Sequence, residues 1–98
     1  MSAQFRPEAR LDALEAKAWY EAQSPGLGLE FARALDAAIA SALRMPLTFR
    51  EIEAGCRRVL LRRFPYSVIY RPEASGILVF AVFHNRQEPS TWLNRVEV

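Results

Sequence analysis

The chain has 98 residues, of which 51% are hydrophobic, 24% are charged and one is a cysteine. This length fits one domain spanning residues 1–98, and no apolar run reaches the roughly 18 residues that a membrane-spanning helix needs. The lone Cys56 excludes an internal disulfide, and no Cys/His cluster has metal-ligand spacing. We therefore expect no metal, no cofactor and no membrane association, with the cytoplasm as the compartment.

Charge is distributed unevenly along the chain, although the net charge is only +2. Residues 1–56 hold six Lys or Arg against eight Asp or Glu, whereas residues 57–98 hold seven arginines against three glutamates. Arginine is suited to bidentate pairing with carboxylate or phosphate, so the second half predicts an anionic partner. The alternative is that these arginines merely solubilise exposed strand faces.

The first half of the chain predicts an antiparallel helical hairpin. Pro7 to Gln23 is typical of a helix, and its apolar stripe consists of Leu11, Leu14, Ala18 and Ala22. Trp19 and Tyr20 flank this stripe, and we interpret them as core and hairpin packing. The cluster Ser24 to Gly28 predicts a turn, after which a second helix keeps its period until Pro46. Before the hairpin, Ala3 to Phe5 could add an edge strand.

The second half predicts a small antiparallel meander. Its strands are rich in Val, Ile, Phe and Tyr and are separated by Pro65 and by Pro72 to Gly76. They are Arg57 to Phe64, Tyr66 to Arg71 and Ile77 to His84. The third is apolar at every position from Ile77 to Phe83, which is typical of a central strand covered on both faces. The hairpin can cover one face, and the other needs a different cover.

The segments around the meander are less regular. Leu47 to Gly55 is predicted to be a connecting loop before the first strand. After His84 the chain is polar through Ser90, and Trp92, Leu93 and Val96 predict one short carboxy-terminal turn. The predicted class is therefore α+β, with an N-terminal helical hairpin packed on a small, mainly antiparallel sheet.

With these elements in place, the chain resembles the RelE/ParE superfamily of bacterial type II toxins, on the ParE-like, plasmid-stabilisation branch. The resemblance spans nearly the whole chain. The matching positions are Gly55, Arg57, Arg58, Phe64, Pro65, Tyr66, Tyr70, Ala81, Val82, His84, Arg86, Pro89 and Trp92, with Trp19, Tyr20, Ser24, Pro25, Gly26, Leu27 and Gly28 in the helical part.

This resemblance implies a toxin that a cognate ParD-like antitoxin neutralises, with operator DNA contacted only through the antitoxin. ParE-type toxins poison DNA gyrase by binding, whereas RelE-type toxins cut messenger RNA on the ribosome, and the fold does not choose between them. A third alternative is a non-toxic relative that only binds an antitoxin. RelE-type toxins use strand lysines and a late tyrosine, but this chain has no lysine after Lys17 and no tyrosine after Tyr70. We therefore expect a gyrase inhibitor rather than an enzyme.

The residues predicted to bind the target or the antitoxin are mostly arginines. They are Arg57, Arg58, Arg62, Arg63, Arg86 and Trp92. Trp92 is interpreted either as an interface anchor or as a cap on the sheet edge. If the chain were a nuclease, His84 would supply proton transfer with Arg86 on phosphate. We interpret His84 as a structural strand-end residue, because a single histidine without a partner is a weak catalytic signal.

Overall fold

Three helices and a five-stranded mixed sheet make up the structure, a computed structural model that describes residues 1–96. In chain order the elements are β1 (Ser2–Phe5), α1 (Pro7–Gln23), α2 (Leu27–Arg44), β2 (Glu51–Glu53), β3 (Cys56–Leu60), β4 (Tyr66–Glu73), β5 (Gly76–His84) and α3 (Ser90–Val96). This arrangement confirms the α+β class, with the helical hairpin at the N-terminal end.

The strand order across the sheet is β1-β5-β4-β3-β2. The three strands β3, β4 and β5 pair antiparallel, as predicted for the meander. The edge strand β1 also forms, and it pairs parallel to β5 with Ser2 opposite Gly76. A parallel neighbour requires a crossover, and the connection between β1 and β5 includes the helical hairpin.

One face of the sheet is covered by α1 and α2, which form the main core with β4 and β5. Phe31 is fully buried at its centre, with its ring 5.3 Å from that of Tyr20 and 5.3 Å from that of Phe64. Offset and edge-on aromatic pairs of this kind stabilise a core beyond the area they bury. Tyr20 of α1 and Phe31 of α2 both contact Tyr66 of β4, so both helices hold the hairpin to the sheet.

The apolar stripe predicted for α1 is wrong. Leu11 and Leu14 are 59% and 56% exposed, whereas Ala9 and Ala16 are the buried residues of this helix. The hairpin is tight: a Cβ on Gly28 of α2 would lie 2.9 Å from the backbone oxygen of Lys17. Small residues on the inner face let α1 approach its neighbours closely, so the larger leucines lie outside.

Trp19 also departs from its prediction, because its side chain is 58% exposed rather than part of the core. Only Tyr20 packs inward, against the main cluster. The two rings touch edge to face, with centroids 5.0 Å apart. The packing interpretation is therefore correct for Tyr20 and wrong for Trp19.

The opposite face of the sheet has its own smaller cluster, beneath α3. Its buried members are Cys56, Ile69, Phe80, Ala81, Phe83 and Trp92. A register shift sets Ile69 opposite Ala81 but Tyr70 opposite Val79, which leaves Phe80 as an extra residue in β5. This bulge turns both Phe80 and Ala81 toward the second cluster. The prediction that the central strand needs a second cover is thus confirmed.

Two boundaries in the predicted meander are wrong. A short strand, β2, lies inside the predicted loop 47–55, and Glu51 pairs with Arg57. The first strand ends at Leu60 instead of Phe64, since Leu61 and Phe64 both turn inward and Arg63 has a φ of 67°. Inward residues three apart cannot alternate on a strand. Arg62 and Arg63 therefore lie on an irregular turn.

The turn between α1 and α2 depends on Glu21, which reaches forward to cap the next helix. Its carboxylate accepts hydrogen bonds from the backbone N–H groups of Gly26, at 3.1 Å, and Gly28, at 3.0 Å. These N–H donors have no partner within the helix, so the carboxylate satisfies them. Its negative charge also interacts favourably with the positive end of the helix dipole.

We expect Glu21→Ala to lower the free energy of unfolding by about 1 kcal/mol, the usual value of a lost helix cap. Urea denaturation followed by circular dichroism measures the change. Glu15→Ala is the matched control, because it is an exposed glutamate of the same helix. Equal losses in the two variants would contradict the capping role.

Candidate functional site

A concave surface lies between α2 and β3, and we call it the arginine-rimmed groove. Its volume is about 920 Å³. The lining residues are Glu30, Arg33, Ala34, Ala37, Ala38, Ser41, Phe49, Val59, Leu60, Arg62 and Arg63. One wall is a stripe of small α2 residues, the floor is apolar, and the cations stand at the rim.

Two of the predicted arginines, Arg62 and Arg63, belong to this rim. Both are exposed, and the Arg63 guanidinium is 3.8 Å from the carboxylate of Glu30. With side chains 74% and 51% exposed, this ion pair contributes little stability and exchanges easily for another carboxylate. The rim is thus available for an acidic partner.

Arg57 does not line the groove but holds the segment between α2 and β2 that carries Phe49. Its guanidinium donates to the backbone oxygens of Leu47, at 3.1 Å, and Phe49, at 2.8 Å, and lies 3.6 Å from Glu51. These contacts fix the connector that carries Phe49. Tyr70, which is fully buried, adds a 2.7 Å hydrogen bond to the backbone oxygen of Pro46.

Arg58 points to the other face of the sheet. Its guanidinium donates to Ser67 Oγ, at 2.9 Å, and to Asn85 Oδ1, at 3.1 Å, which ties β3 to β4 and to the turn after β5. Ser67 also donates to Asn85 Oδ1 at 2.5 Å. Arg58 therefore positions the sheet end and lies apart from the groove.

His84 lies in a second depression, on the far flank of the hairpin, which we call the aromatic hollow. Its volume is about 290 Å³. The lining residues are Asp12, Glu15, Ala16, Trp19, Tyr66, Val82, His84 and Gln87. The His84 ring meets that of Tyr66 edge to face, with centroids 5.2 Å apart, and its Nδ1 accepts the backbone N–H of Arg86 at 3.0 Å.

The hollow has the wrong charge for holding a phosphate. Its titratable neighbours include the carboxylates of Asp12 and Glu15, and none of its lining residues is Lys or Arg. Burial, followed by the nearby Tyr20 and Asp12, raises the pKa of Tyr66, so this phenol keeps its proton at neutral pH. No lysine or arginine therefore lines the hollow around His84, although Arg86 follows it by two residues and donates its backbone N–H to the imidazole.

The predicted role of Trp92 as an interface anchor is wrong, because its side chain is only 3% exposed. It packs in the second cluster with Phe80 and Phe83. Arg86 is exposed in the turn after β5. The predicted site residues therefore fall into separate places instead of one patch.

Other chemistry is sparse in the part of the chain that the structure describes. Cys56 is fully buried, and burial raises the pKa of its thiol despite the nearby Arg71, so it is an inert core residue. Within residues 1–96 no group of three His, Cys, Asp or Glu could hold a metal ion. No helix in the same range is long and apolar enough to span a membrane.

Sequence reasoning missed the groove wall and the exposed indole. The wall comes from Ala34, Ala37 and Ser41, with the buried Ala38 behind them. Its signal was present, since these three small residues recur at helical spacing along α2. The exposure of Trp19 had no such signal.

This small α+β domain carries a groove with an apolar floor and a cationic rim, which are features typical of surfaces that bind macromolecules. Comparison with known families is more specific: the family described as ParE toxin of type II toxin-antitoxin system, parDE, matches residues 3–89. The chain therefore belongs to the ParE toxin family, and its antitoxin partner is a feature of that toxin-antitoxin context.

A solved structure has the same fold. Its title is "Chromosomal ParDE TA system from P. aeruginosa", and it superposes with a TM-score of 0.74 at 17% sequence identity. The likeness covers 86% of this chain and 95% of the other. Among curated proteins, none matches this chain significantly.

Proposed function

We propose that this toxin inhibits DNA gyrase by binding it, and that a cognate ParD-like antitoxin holds it inactive in the bacterial cytoplasm. The observation that carries the proposal is the arginine-rimmed groove, which has the features of a surface for a protein segment. The placement of His84 in a different depression from Arg62 and Arg63 supports binding over catalysis.

The dimensions and composition of the groove fit an amphipathic helix. The α2 wall runs from Glu30 to Ser41, which is roughly 17 Å at the helical rise of 1.5 Å per residue. A partner helix of about three turns matches that length. Small α2 side chains allow close approach, and apolar residues on the partner would fill the floor. Carboxylates at its ends would pair with Arg33, Arg62 and Arg63.

Binding to gyrase is favoured over cutting of messenger RNA because, among the candidate groups for cleavage, only Arg86 lies next to His84. A nuclease needs a base, an acid and cations around one phosphate. His84 lies in the aromatic hollow beside carboxylates, Arg58 is on the opposite face of the sheet, and Arg63 is at the rim of the groove.

A supercoiling assay with purified gyrase tests the target. We expect the toxin to inhibit supercoiling and His84→Ala to inhibit it equally, and we expect no cut transcripts in a purified translation reaction. Cleaved transcripts that disappear with His84→Ala would overturn the proposal in favour of a ribosome-dependent endonuclease. The absence of both activities, with intact antitoxin binding, would identify a non-toxic relative.

The antitoxin interface is tested by Ala37→Glu, which places a carboxylate on the exposed wall of the groove. We expect affinity for the antitoxin encoded beside the toxin gene to fall by roughly 10-fold or more, because an acidic segment would meet a like charge. Isothermal titration calorimetry measures the change. The matched control is Ala18→Glu, an exposed alanine on the outer face of α1. Equal affinities of both variants would exclude the groove as the docking surface.

A further inference from the structure

The aromatic hollow is a second binding surface, separate from the groove. It lies beside α1 and the end of β5, whereas the groove lies beside α2 and β3. Trp19, one of the residues that line the hollow, is 58% exposed, although a tryptophan normally buries most of its surface. The rings of Tyr66 and His84, which touch each other, also line the hollow.

The charges around the hollow favour a cation. Asp12 is paired with Arg95 at 2.6 Å, so its negative charge is largely neutralised. Glu15 is exposed and forms no ion pair within residues 1–96. The hollow thus combines one unneutralised carboxylate with aromatic faces, which attract cations through their quadrupoles.

A guanidinium fits these features better than a nucleic acid does. Its plane stacks on an indole while its N–H groups reach a carboxylate, and an ammonium is more strongly hydrated. A nucleotide could stack on Trp19, but its phosphate would meet Glu15 with no arginine or lysine in the lining. The volume of about 290 Å³ lies just below the usual range for whole small-molecule ligands and fits one long side chain.

We propose that the aromatic hollow binds an arginine side chain of a protein partner, stacked on Trp19 and paired with Glu15. This contact is independent of the groove, so it holds whichever segment occupies that surface. Tryptophan and arginine are both enriched among the residues that dominate binding energy at interfaces.

The test is a titration of the isotope-labelled toxin with the peptide acetyl-Gly-Arg-Gly-amide, followed by the indole N–H signals in NMR spectra. We expect a saturable shift of the Trp19 signal, while the buried Trp92 signal stays in place as an internal reference. The peptide in which citrulline replaces arginine is isosteric but neutral, and we expect it to cause no saturable shift.

Two variants separate the hollow from general charge effects. Glu15→Gln should weaken the arginine peptide by roughly five-fold, in line with the loss of one exposed ion pair. Glu53→Gln removes the same charge from β2, three strands away from β5, and should leave the affinity unchanged. The proposal is overturned if the citrulline peptide binds as well, if both variants weaken binding equally, or if adenosine monophosphate saturates the Trp19 shift and the arginine peptide does not.

Discussion

Replacing Gly76 with alanine is expected to lower the free energy of unfolding by about 3 kcal/mol or more and to detach β1 from the sheet. Gly76 has a φ of 146°, which side chains rarely adopt, and an added Cβ would lie 1.8 Å from the backbone oxygen of Ser2. That oxygen belongs to the paired edge strand, so it cannot move without breaking the parallel ladder. Urea denaturation measures the loss, and hydrogen exchange at residues 2–5 measures the detachment.

Gly55→Ala is the control that separates backbone strain from the steric clash. Gly55 also has a positive φ, 75°, but an added Cβ there would meet nothing closer than 3.9 Å. We expect it to cost about 1 kcal/mol, the usual penalty for alanine in a left-handed conformation. If both variants lose the same stability, the contact with Ser2 is not what restricts position 76.

Elements with a strong periodic signal were predictable from the sequence alone. The unbroken apolar run from Ile77 to Phe83 predicted the central strand, and its two covers follow from the absence of a polar face. The bounds of the hairpin followed from the turn at Ser24 to Gly28 and from Pro46, although the apolar stripe predicted for α1 was wrong. In both cases the local sequence preference and the packing in the fold favour the same secondary structure.

The inner face of α1 was not predictable from hydrophobicity. The larger leucines at positions 11 and 14 were expected inside, yet the alanines at 9 and 16 are buried. Which residues of α1 are buried depends on the distance between the two helices and the sheet. Gly28 and the aromatic cluster around Phe31 set that distance. That distance is a tertiary property, and no period in α1 encodes it.

The sequence predicted which residue types form the candidate site better than it predicted where each residue lies. Its arginine content and the apolar helix beside it were visible, but the predicted list combined residues with different roles. Adjacent residues of a strand point to opposite faces, so the side chains of Arg57 and Arg58 lie on opposite faces of the sheet. Arg62 and Arg63 reach the groove because the strand ends early, a boundary set by the burial of Leu61 and Phe64.

The second large effect is expected at Arg95, which closes the edge of β5 beyond the end of β1. Its guanidinium donates to both carboxylate oxygens of Asp12, at 2.6 and 3.2 Å, and to the backbone oxygen of Phe80 at 3.1 Å. Asp12 in turn accepts the backbone N–H of Val82 at 3.1 Å. Two side chains thus take the place of a neighbouring strand, and they join α1, β5 and α3.

Arg95→Met should lower the free energy of unfolding by about 3 kcal/mol, because it leaves a carboxylate that is 17% exposed without its cation. Asp12→Asn should cost less, since the amide oxygen still accepts the Val82 N–H. In a Trp19→Phe background, the fluorescence of Trp92 should shift to the red for Arg95→Met as α3 loosens. The control is Arg86→Met, an exposed arginine of the preceding turn. A loss no greater than in this control would show that the Asp12 pair does not hold α3 to the sheet.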